Sequence, residues 1–175
     1  RGEVNHRVLH DVARYMGGFL EALRQARIRQ RALDFHDLLL LSRNMLRDSP
    51  AARAHFKRAW RYILVDEFQD TDPLQTEIVF FLSEEADRRA NSWEEVRLRP
   101  GKLFLVGDPK QSIYSFRRAD LDLYGRVKEI MRGQGEVLTL SVNFRTVPEN
   151  IGELNALFAK WMTGPVNGRY EPEHV

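Results

Sequence analysis

The sequence predicts an α/β fold, in which parallel strands alternate with helices. Three short and largely apolar runs, YILV, LFLV and VLTLSV, occupy residues 62–65, 103–106 and 137–142. Segments with helical spacing separate them, at residues 73–90 and 119–133. Strands that alternate with helices are typical of parallel sheets with crossover connections. Because the runs are apolar almost throughout, we expect the strands to be buried on both faces of the sheet.

The part of the chain before these strands is expected to be helical. Apolar residues recur at three- and four-residue steps across residues 4–30, which is typical of an amphipathic helix. Asp34 can cap a second helix, FHDLLLLSRNMLR. Ser49 followed by Pro50 is typical of the N-cap and first residue of a third helix, AARAHFKRAW.

The remaining segments complete the predicted order of elements. Asp72 before Pro73 is most simply the N-cap of the helix that follows the first strand. Residues 91–101, NSWEEVRLRPG, are typical of a surface loop. A last helix, ENIGELNALFAKWM, is expected after Pro148.

Composition restricts the classes of function. The chain has 175 residues, and 27 Lys and Arg against 25 Asp and Glu give a net charge of +2, a weak argument for nucleic-acid binding. There is no cysteine, which excludes disulfides and thiolate metal sites within the chain. No apolar run approaches the ~20 residues of a membrane span, and RGEVNHRVLHD does not look like a signal peptide, so we expect a cytoplasmic protein. One basic cluster favours a solvated helix face: Arg53, Lys57, Arg58 and Arg61.

Polar residues follow each predicted strand at its carboxyl end, where open parallel sheets bind ligands. Asp66 and Glu67 follow the first, Asp108 and Gln111 the second, and Arg145 the third. Mg²⁺ often needs only one or two carboxylates beside phosphate oxygens, and a second acid can deprotonate water. Taken singly, each of these residues is explained equally well as the end of a strand, part of a turn or a surface charge. Their arrival at successive strand ends favours a magnesium and nucleotide site.

Three stretches carry a family resemblance. LVDEFQDTDPLQ, LFLVGDPKQSIYSFRRAD and LSVNFRT are similar, in order and approximate spacing, to motifs II, III and IV of UvrD/Rep-type superfamily 1 DNA helicases. KQSIYSFRRAD looks closer to the RecB and AddA helicase–nuclease branch, and LDFHDLLLL resembles that family's DFDDLL element. The resemblance spans residues 34–146. It implies RecA-like motor domains that hydrolyse ATP.

The resemblance implies roles for the strand-end residues. Asp66 would hold Mg²⁺ and Glu67 would be the base that activates water. Gln69 and Asp70 belong to the same motif and would link the ATP site to neighbouring elements. Two residues would contact the γ-phosphate: Gln111 as a sensor, and Arg145 across the cleft between the two motor domains.

Other residues of the resemblance concern DNA and the nucleotide base. Tyr114 and Phe116 would stack the bases of single-stranded DNA, and Arg117 would support them or touch DNA. Phe144 stands where many relatives have a nucleotide-stacking Tyr. Two departures are notable: Phe116 replaces a Trp common in UvrD-like members, and Arg118 stands where a Gly is frequent.

The phosphate-binding loop GxxxxGK[ST] is absent from the sequence. We therefore expect an internal part of a larger motor. Residues 1–33 would end an inserted helical subdomain, 34–136 would be the C-terminal part of the first RecA-like domain, and 137–175 would begin the second. Without the Walker A loop, this part alone is predicted to be inactive.

The preferred function is therefore that of an ATP-dependent DNA helicase or translocase acting in DNA repair or recombination. Its cofactors would be ATP and Mg²⁺, and its partners single-stranded DNA or duplex ends. A second helicase–nuclease subunit stays open as a further partner. Two alternatives also stay open: a metal-dependent nuclease built from the same carboxylates, and a DNA-binding module without catalysis.

Overall fold

The computed structural model describes residues 2–30, 32–112 and 121–161, and the side chains of all of these except 2–7, 24 and 121. Six helices and two strands lie in the described residues. In chain order they are α1 (Gly2–Gln30), α2 (Phe35–Asp48), α3 (Pro50–Ala59), β1 (Ile63–Val65), α4 (Pro73–Ser83), β2 (Leu103–Leu105), α5 (Leu121–Gln134) and α6 (Pro148–Phe158). Single 3₁₀ turns occupy Phe68–Asp70, Trp93–Glu95 and Pro109–Gln111. None of the described helices combines the length and the apolarity that crossing a membrane requires.

The chain divides into two compact units, Arg1–Leu41 and Ser42–Val175. In the first unit, Asp34 caps α2 as predicted. The Asp34 Oδ1 accepts from the Asp37 N–H at 2.8 Å, and Asp37 Oδ2 accepts from the Asp34 N–H at 3.1 Å. The bond from the Asp37 N–H, aided by the nearby Arg27 guanidinium, lowers the pKa of the Asp34 carboxyl.

Two predicted caps fix helix starts in the second unit. The Ser49 Oγ accepts from the Ala52 N–H at 3.2 Å, and Pro50 is the first residue of α3. Asp72 and Gln75 form a capping box at the start of α4, each side chain bonding the other residue's backbone N–H. Both helices therefore begin where the sequence predicted.

β1 and β2 are parallel, as predicted, with Ile63 opposite Leu103 and Val65 opposite Leu105. The prediction that both sheet faces are buried is wrong. Leu64 and Phe104 lie opposite each other and are 74% and 59% exposed, whereas the residues on either side of them are half-buried. Among the described residues the core packs against one face only, and this leaves the other face open.

The prediction of a third strand is also wrong. Residues 137–142 have no strand structure, and among the described residues the sheet has two strands. The side chains of this run are exposed, and Leu140 reaches 94%. A strand forms only where a partner supplies backbone hydrogen bonds, and none of the described residues pairs with this run.

The segment 91–101, predicted as a surface loop, contributes instead to the core. Trp93, Val96 and Leu98 are buried, and Trp93 meets the ring of Phe80 edge-on at 5.2 Å between centroids. The helix before this segment is also shorter than predicted, since α4 ends at Ser83 rather than continuing to residue 90. Glu84 leaves the helix to form a bridge with Leu98.

A buried charge cluster replaces part of the predicted solvated face. Arg58 and Arg61 are exposed, but Arg53 and Lys57 are buried and pair with the buried Glu84. The Glu84 Oε2 lies 2.7 Å from Arg53 Nη2 and 3.0 Å from Lys57 Nζ. Burial lowers the pKa of Arg53, and the Glu84 carboxylate opposes that shift.

Candidate functional site

The ends of β1 and β2 lie side by side. Beyond the strands, the Val106 N–H donates to the Val65 carbonyl at 2.8 Å and the Phe68 N–H donates to the Val106 carbonyl at 2.9 Å. Backbone pairing therefore continues past the carboxyl ends of both strands. As predicted, the residues after β1 and those after β2 meet at one edge of the sheet.

Asp66 and Glu67 stand exposed at the end of β1. The Asp66 Oδ1 accepts from the Glu67 N–H at 2.9 Å. Glu67 has φ 52° and ψ 42°, the left-handed region, which costs a residue with a Cβ about 1–2 kcal/mol. A strained backbone conformation persists only where the surrounding structure maintains it, and such conformations cluster at functional sites.

The side chain of Gln69 joins the two strand ends. It is only 2% exposed. Its Nε2 donates to Glu67 Oε2 at 2.6 Å, and its Oε1 accepts from the Asp108 N–H at 3.0 Å. One buried carboxamide thus connects an acid after β1 with the backbone after β2.

Gly107 allows this approach. A Cβ at Gly107 would lie 2.9 Å from Gln69 Oε1 and 3.2 Å from the backbone nitrogens of Phe68 and Gln69. The Gly107 carbonyl accepts from the Tyr124 hydroxyl of α5 at 3.2 Å, and the Tyr124 and Phe68 rings lie 6.1 Å apart. α5 therefore supports the strand ends from the core side.

Asp108 and Gln111 form a local turn after β2. The Asp108 Oδ1 accepts from the Lys110 N–H, and its Oδ2 accepts from Gln111 Nε2, each at 3.0 Å. The side chain of Gln111 is exposed. Three hydrogen bonds in sequence, through Asp108 and Gln69, thus connect it with Glu67.

Phe144 and Arg145 are not joined to this group. Both are exposed, Phe144 to 92%, and the Arg145 N–H bonds Asn143 Oδ1 in a local turn. Within the described residues, no hydrogen bond or ion pair connects the Arg145 side chain with Asp66 or Glu67. The predicted DNA-contacting residues, Tyr114, Phe116 and Arg117, lie outside the described residues, as does Arg118.

The carboxylates at the strand ends suit a metal ion that takes most of its ligands from water and phosphate oxygens rather than from the protein. Among the described residues, no three or more His, Cys, Asp or Glu side chains group closely enough to hold a metal ion by themselves. Asp66 is exposed, and its carboxylate accepts from the Glu67 N–H next to it. A lone carboxylate of this kind fits Mg²⁺, which keeps several waters and phosphate oxygens as ligands.

The sequence alone did not reveal how tightly Gln69 and Gly107 are coupled. The Gln69 Oε1 bonds the backbone N–H of Asp108, the residue after Gly107. Gln69 and Asp108 are 39 positions apart, and no local sequence pattern links residues that distant. The spacing of Arg53 and Lys57, four residues apart on α3, predicts that the two side chains share a helix face, but it does not predict that this face is buried.

Comparison with known proteins agrees with the motifs at this site. A model of the UvrD/REP helicase N-terminal domain matches residues 6–131. The chain is 37% identical over 135 residues to a protein of Mycobacterium tuberculosis named RecBCD enzyme subunit RecB, covering 76% of this chain and 11% of that protein. It is 34% identical over 134 residues to the protein of that name in Chlamydia trachomatis, covering 75% and 12%.

A second group of relatives carries another name. The chain is 29% identical over 166 residues to a protein of Streptococcus pneumoniae that is named as one subunit of an ATP-dependent helicase/nuclease, and the match covers 91% of this chain and 12% of that protein. The chain therefore spans roughly a ninth to an eighth of the length of the relatives it matches. Since the family model covers more than half of the residues, the chain belongs to the UvrD/REP helicase family.

Proposed function

We propose that this chain supplies part of the ATP site of a DNA motor that couples ATP hydrolysis to movement along single-stranded DNA, in repair or recombination. The observation that carries the proposal is the meeting of Asp66, Glu67 and Asp108 at the carboxyl edge of a parallel sheet. That edge is where α/β proteins bind ligands. The names of the relatives, which include ATP-dependent helicase, support the same class.

The two acids would divide the chemistry. Bound Mg²⁺ would offset phosphate charge and orient the nucleotide. Asp66 would hold the metal through its exposed carboxylate. Glu67 would take a proton from the attacking water, since it is adjacent to Asp66 and exposed, and its contact with Gln69 involves only Oε2.

The other predicted roles rest on the resemblance. Gln111 would sense the γ-phosphate from its turn after β2, and Arg145 and Phe144 would act once a second motor domain holds them. Tyr114, Phe116 and Arg117 would contact DNA. The domain boundaries after residues 33 and 136 belong to the same proposal, as does a RecA-like fold for the complete motor.

The geometry argues against a nuclease centre made from these residues. Metal-dependent nucleases often place an acid and a lysine, one residue apart, on a strand. Here the only such pair is Asp108 and Lys110, and Pro109–Gln111 form a 3₁₀ turn rather than a strand.

The proposal is tested on the full-length protein with single-stranded DNA, duplex ends, Mg²⁺ and ATP. We expect ATP hydrolysis that single-stranded DNA stimulates, and strand separation that needs ATP. DNA binding without ATP hydrolysis would favour the non-catalytic module. Cleavage in Mg²⁺ without ATP that Asp66→Ala abolishes would favour the nuclease.

By itself, this chain should not hydrolyse ATP. Most nucleotide affinity in such motors comes from the backbone N–H groups and the lysine of a phosphate loop, and the sequence has no GxxxxGK[ST]. Calorimetry with Mg-ATP and a phosphate-release assay, each with and without single-stranded DNA, check this. Micromolar binding or steady turnover would contradict it.

A further inference from the structure

Gln69 is a buried side chain with two polar contacts of opposite kind. Its Oε1 faces the Asp108 N–H at 3.0 Å, and its Nε2 faces Glu67 Oε2 at 2.6 Å. A backbone N–H can only donate, so the atom facing it has to be the amide oxygen. The bond to Asp108 therefore fixes which end of the carboxamide points at Glu67, and that end is a donor.

The Nε2–H donor of Gln69 faces an acceptor, the Oε2 of Glu67. A carboxylate oxygen accepts hydrogen bonds, and a bond to a charged group is stronger than one between neutral groups. The contact involves Oε2 and leaves Oε1 without a hydrogen-bond partner among the described residues. Glu67 is otherwise an exposed side chain with free torsions, attached to a backbone in the left-handed region.

We infer that Gln69 is a positioning residue for Glu67: its Nε2–H holds one carboxylate oxygen and thereby orients the other toward the attacking water. The inference rests on the proposed role of Glu67 as the base. A general base has to lie within hydrogen-bond reach of the proton it takes, and small misplacements are costly. Because Asp108 sets the orientation of the amide, the turn after β2 controls how the base is held.

The decisive variant is Gln69→Glu in the full-length protein. The introduced carboxyl has the same shape and keeps an acceptor for the Asp108 N–H, but when ionised it cannot donate to Glu67. The contact to the Asp108 N–H is therefore kept, and the contact to Glu67 is lost.

The expected result is a loss of turnover with substrate binding kept. Relative to the wild type, kcat of Gln69→Glu should fall by about tenfold or more. Gln69→Leu should lose a similar factor, and KM for ATP should stay within about twofold of the wild type in both variants. A residue that only supports the fold would not lower kcat per folded molecule.

Gln25→Glu is a matched control. Gln25 Nε2 donates to Glu21 Oε1 at 2.8 Å on an exposed helix face, so the same exchange breaks the same type of bond within the other unit, Arg1–Leu41. We expect its kcat to match the wild type. Unfolding temperatures of all variants, measured in parallel, separate a lost fold from a lost contact.

A second measurement needs no enzyme activity and no Gln69 variant. In the ¹⁵N NMR spectrum of the wild-type chain, the Gln69 side-chain amide should shift when exposed Glu67 is replaced by Ala, while the Gln25 amide should not. An unchanged Gln69 signal overturns the inference, as does a kcat for Gln69→Glu within about twofold of the wild type. If Glu67→Gln itself keeps wild-type turnover, the proposed role of Glu67 fails instead.

Discussion

Gly107 and Gln69 lie so close that a single added carbon on the glycine would reach within 2.9 Å of the glutamine Oε1. The two residues come from different strand ends, and the amide oxygen involved is the one that accepts from the Asp108 N–H. The absence of a side chain at Gly107 is therefore a condition for the contact between Gln69 and Glu67.

Gly107→Ala should destabilise the chain by about 1–3 kcal/mol, the usual cost of overpacking a close contact. It should also speed amide exchange at Asp108, because the displaced Gln69 oxygen no longer protects that N–H. Urea unfolding and hydrogen exchange measure the two effects. Gly133→Ala is the control, since no atom lies within 4 Å of its added carbon and the helix should gain about 0.5–1 kcal/mol. Equal effects of both substitutions would contradict the account.

Glu84→Gln should destabilise the chain strongly. Arg53 and Lys57 would stay buried without a counter-charge, and breaking a buried pair in this way costs about 3–5 kcal/mol. Glu85→Gln is the adjacent control, because Glu85 pairs with exposed arginines, and such pairs contribute ~1 kcal/mol or less. Urea unfolding of both variants decides the matter. Similar losses would mean that the Glu84 cluster contributes no more than a surface pair.

Lys102 should make the free energy of unfolding depend on pH in the alkaline range. Its ammonium is buried and donates to the Lys57 carbonyl at 2.7 Å, and burial lowers its pKa below the ordinary value of 10.5. At pH values between the lowered pKa of the folded chain and the ordinary pKa of the unfolded chain, the unfolded chain binds more protons than the folded chain. The free energy of unfolding therefore rises with pH in that range. The difference in that free energy between wild type and Lys102→Met should therefore grow in favour of the wild type from neutral pH toward 10.5. A difference that stays constant would contradict the lowered pKa.

The sequence was a good guide wherever local chemistry decides structure. Asp34, Ser49 and Asp72 cap helices because their side chains reach backbone N–H groups three residues away, within the same stretch of chain. The parallel pairing of the first two strands followed from the alternation of strands and helices. The meeting of Asp66 and Glu67 with Asp108 at one sheet edge followed in turn.

The wrong predictions concern residues whose contact partners are distant in sequence or are not among the described residues. Residues 137–142 have the composition of a strand, but no described residue pairs with them. Arg53 and Lys57 look like surface residues until Glu84, 31 and 27 positions later, is placed against them. The link through Gln69 likewise depends on a distant backbone N–H. Patterns within one segment do not contain that information.

Replacing Tyr114 and Phe116 with Ala in the full-length protein should weaken binding of single-stranded DNA. Loss of base stacking costs about 1–3 kcal/mol per ring. DNA-stimulated ATP hydrolysis should fall with it, while nucleotide binding without DNA should be kept. A fluorescence titration with single-stranded DNA measures the affinity. An unchanged titration would show that these rings do not stack bases.

The central claim is that Asp66 holds the metal and Glu67 is the base, and phosphate release by Glu67→Gln tests it most directly. In the full-length protein this variant should bind Mg-ATP as the wild type does, because Asp66 is intact, whereas Asp66→Ala should bind it weakly. Its single-turnover phosphate release should fall by about 10²–10⁴-fold, since the amide keeps the shape of the side chain but cannot accept the proton. Phosphate release by Glu67→Gln at the wild-type rate would contradict the account.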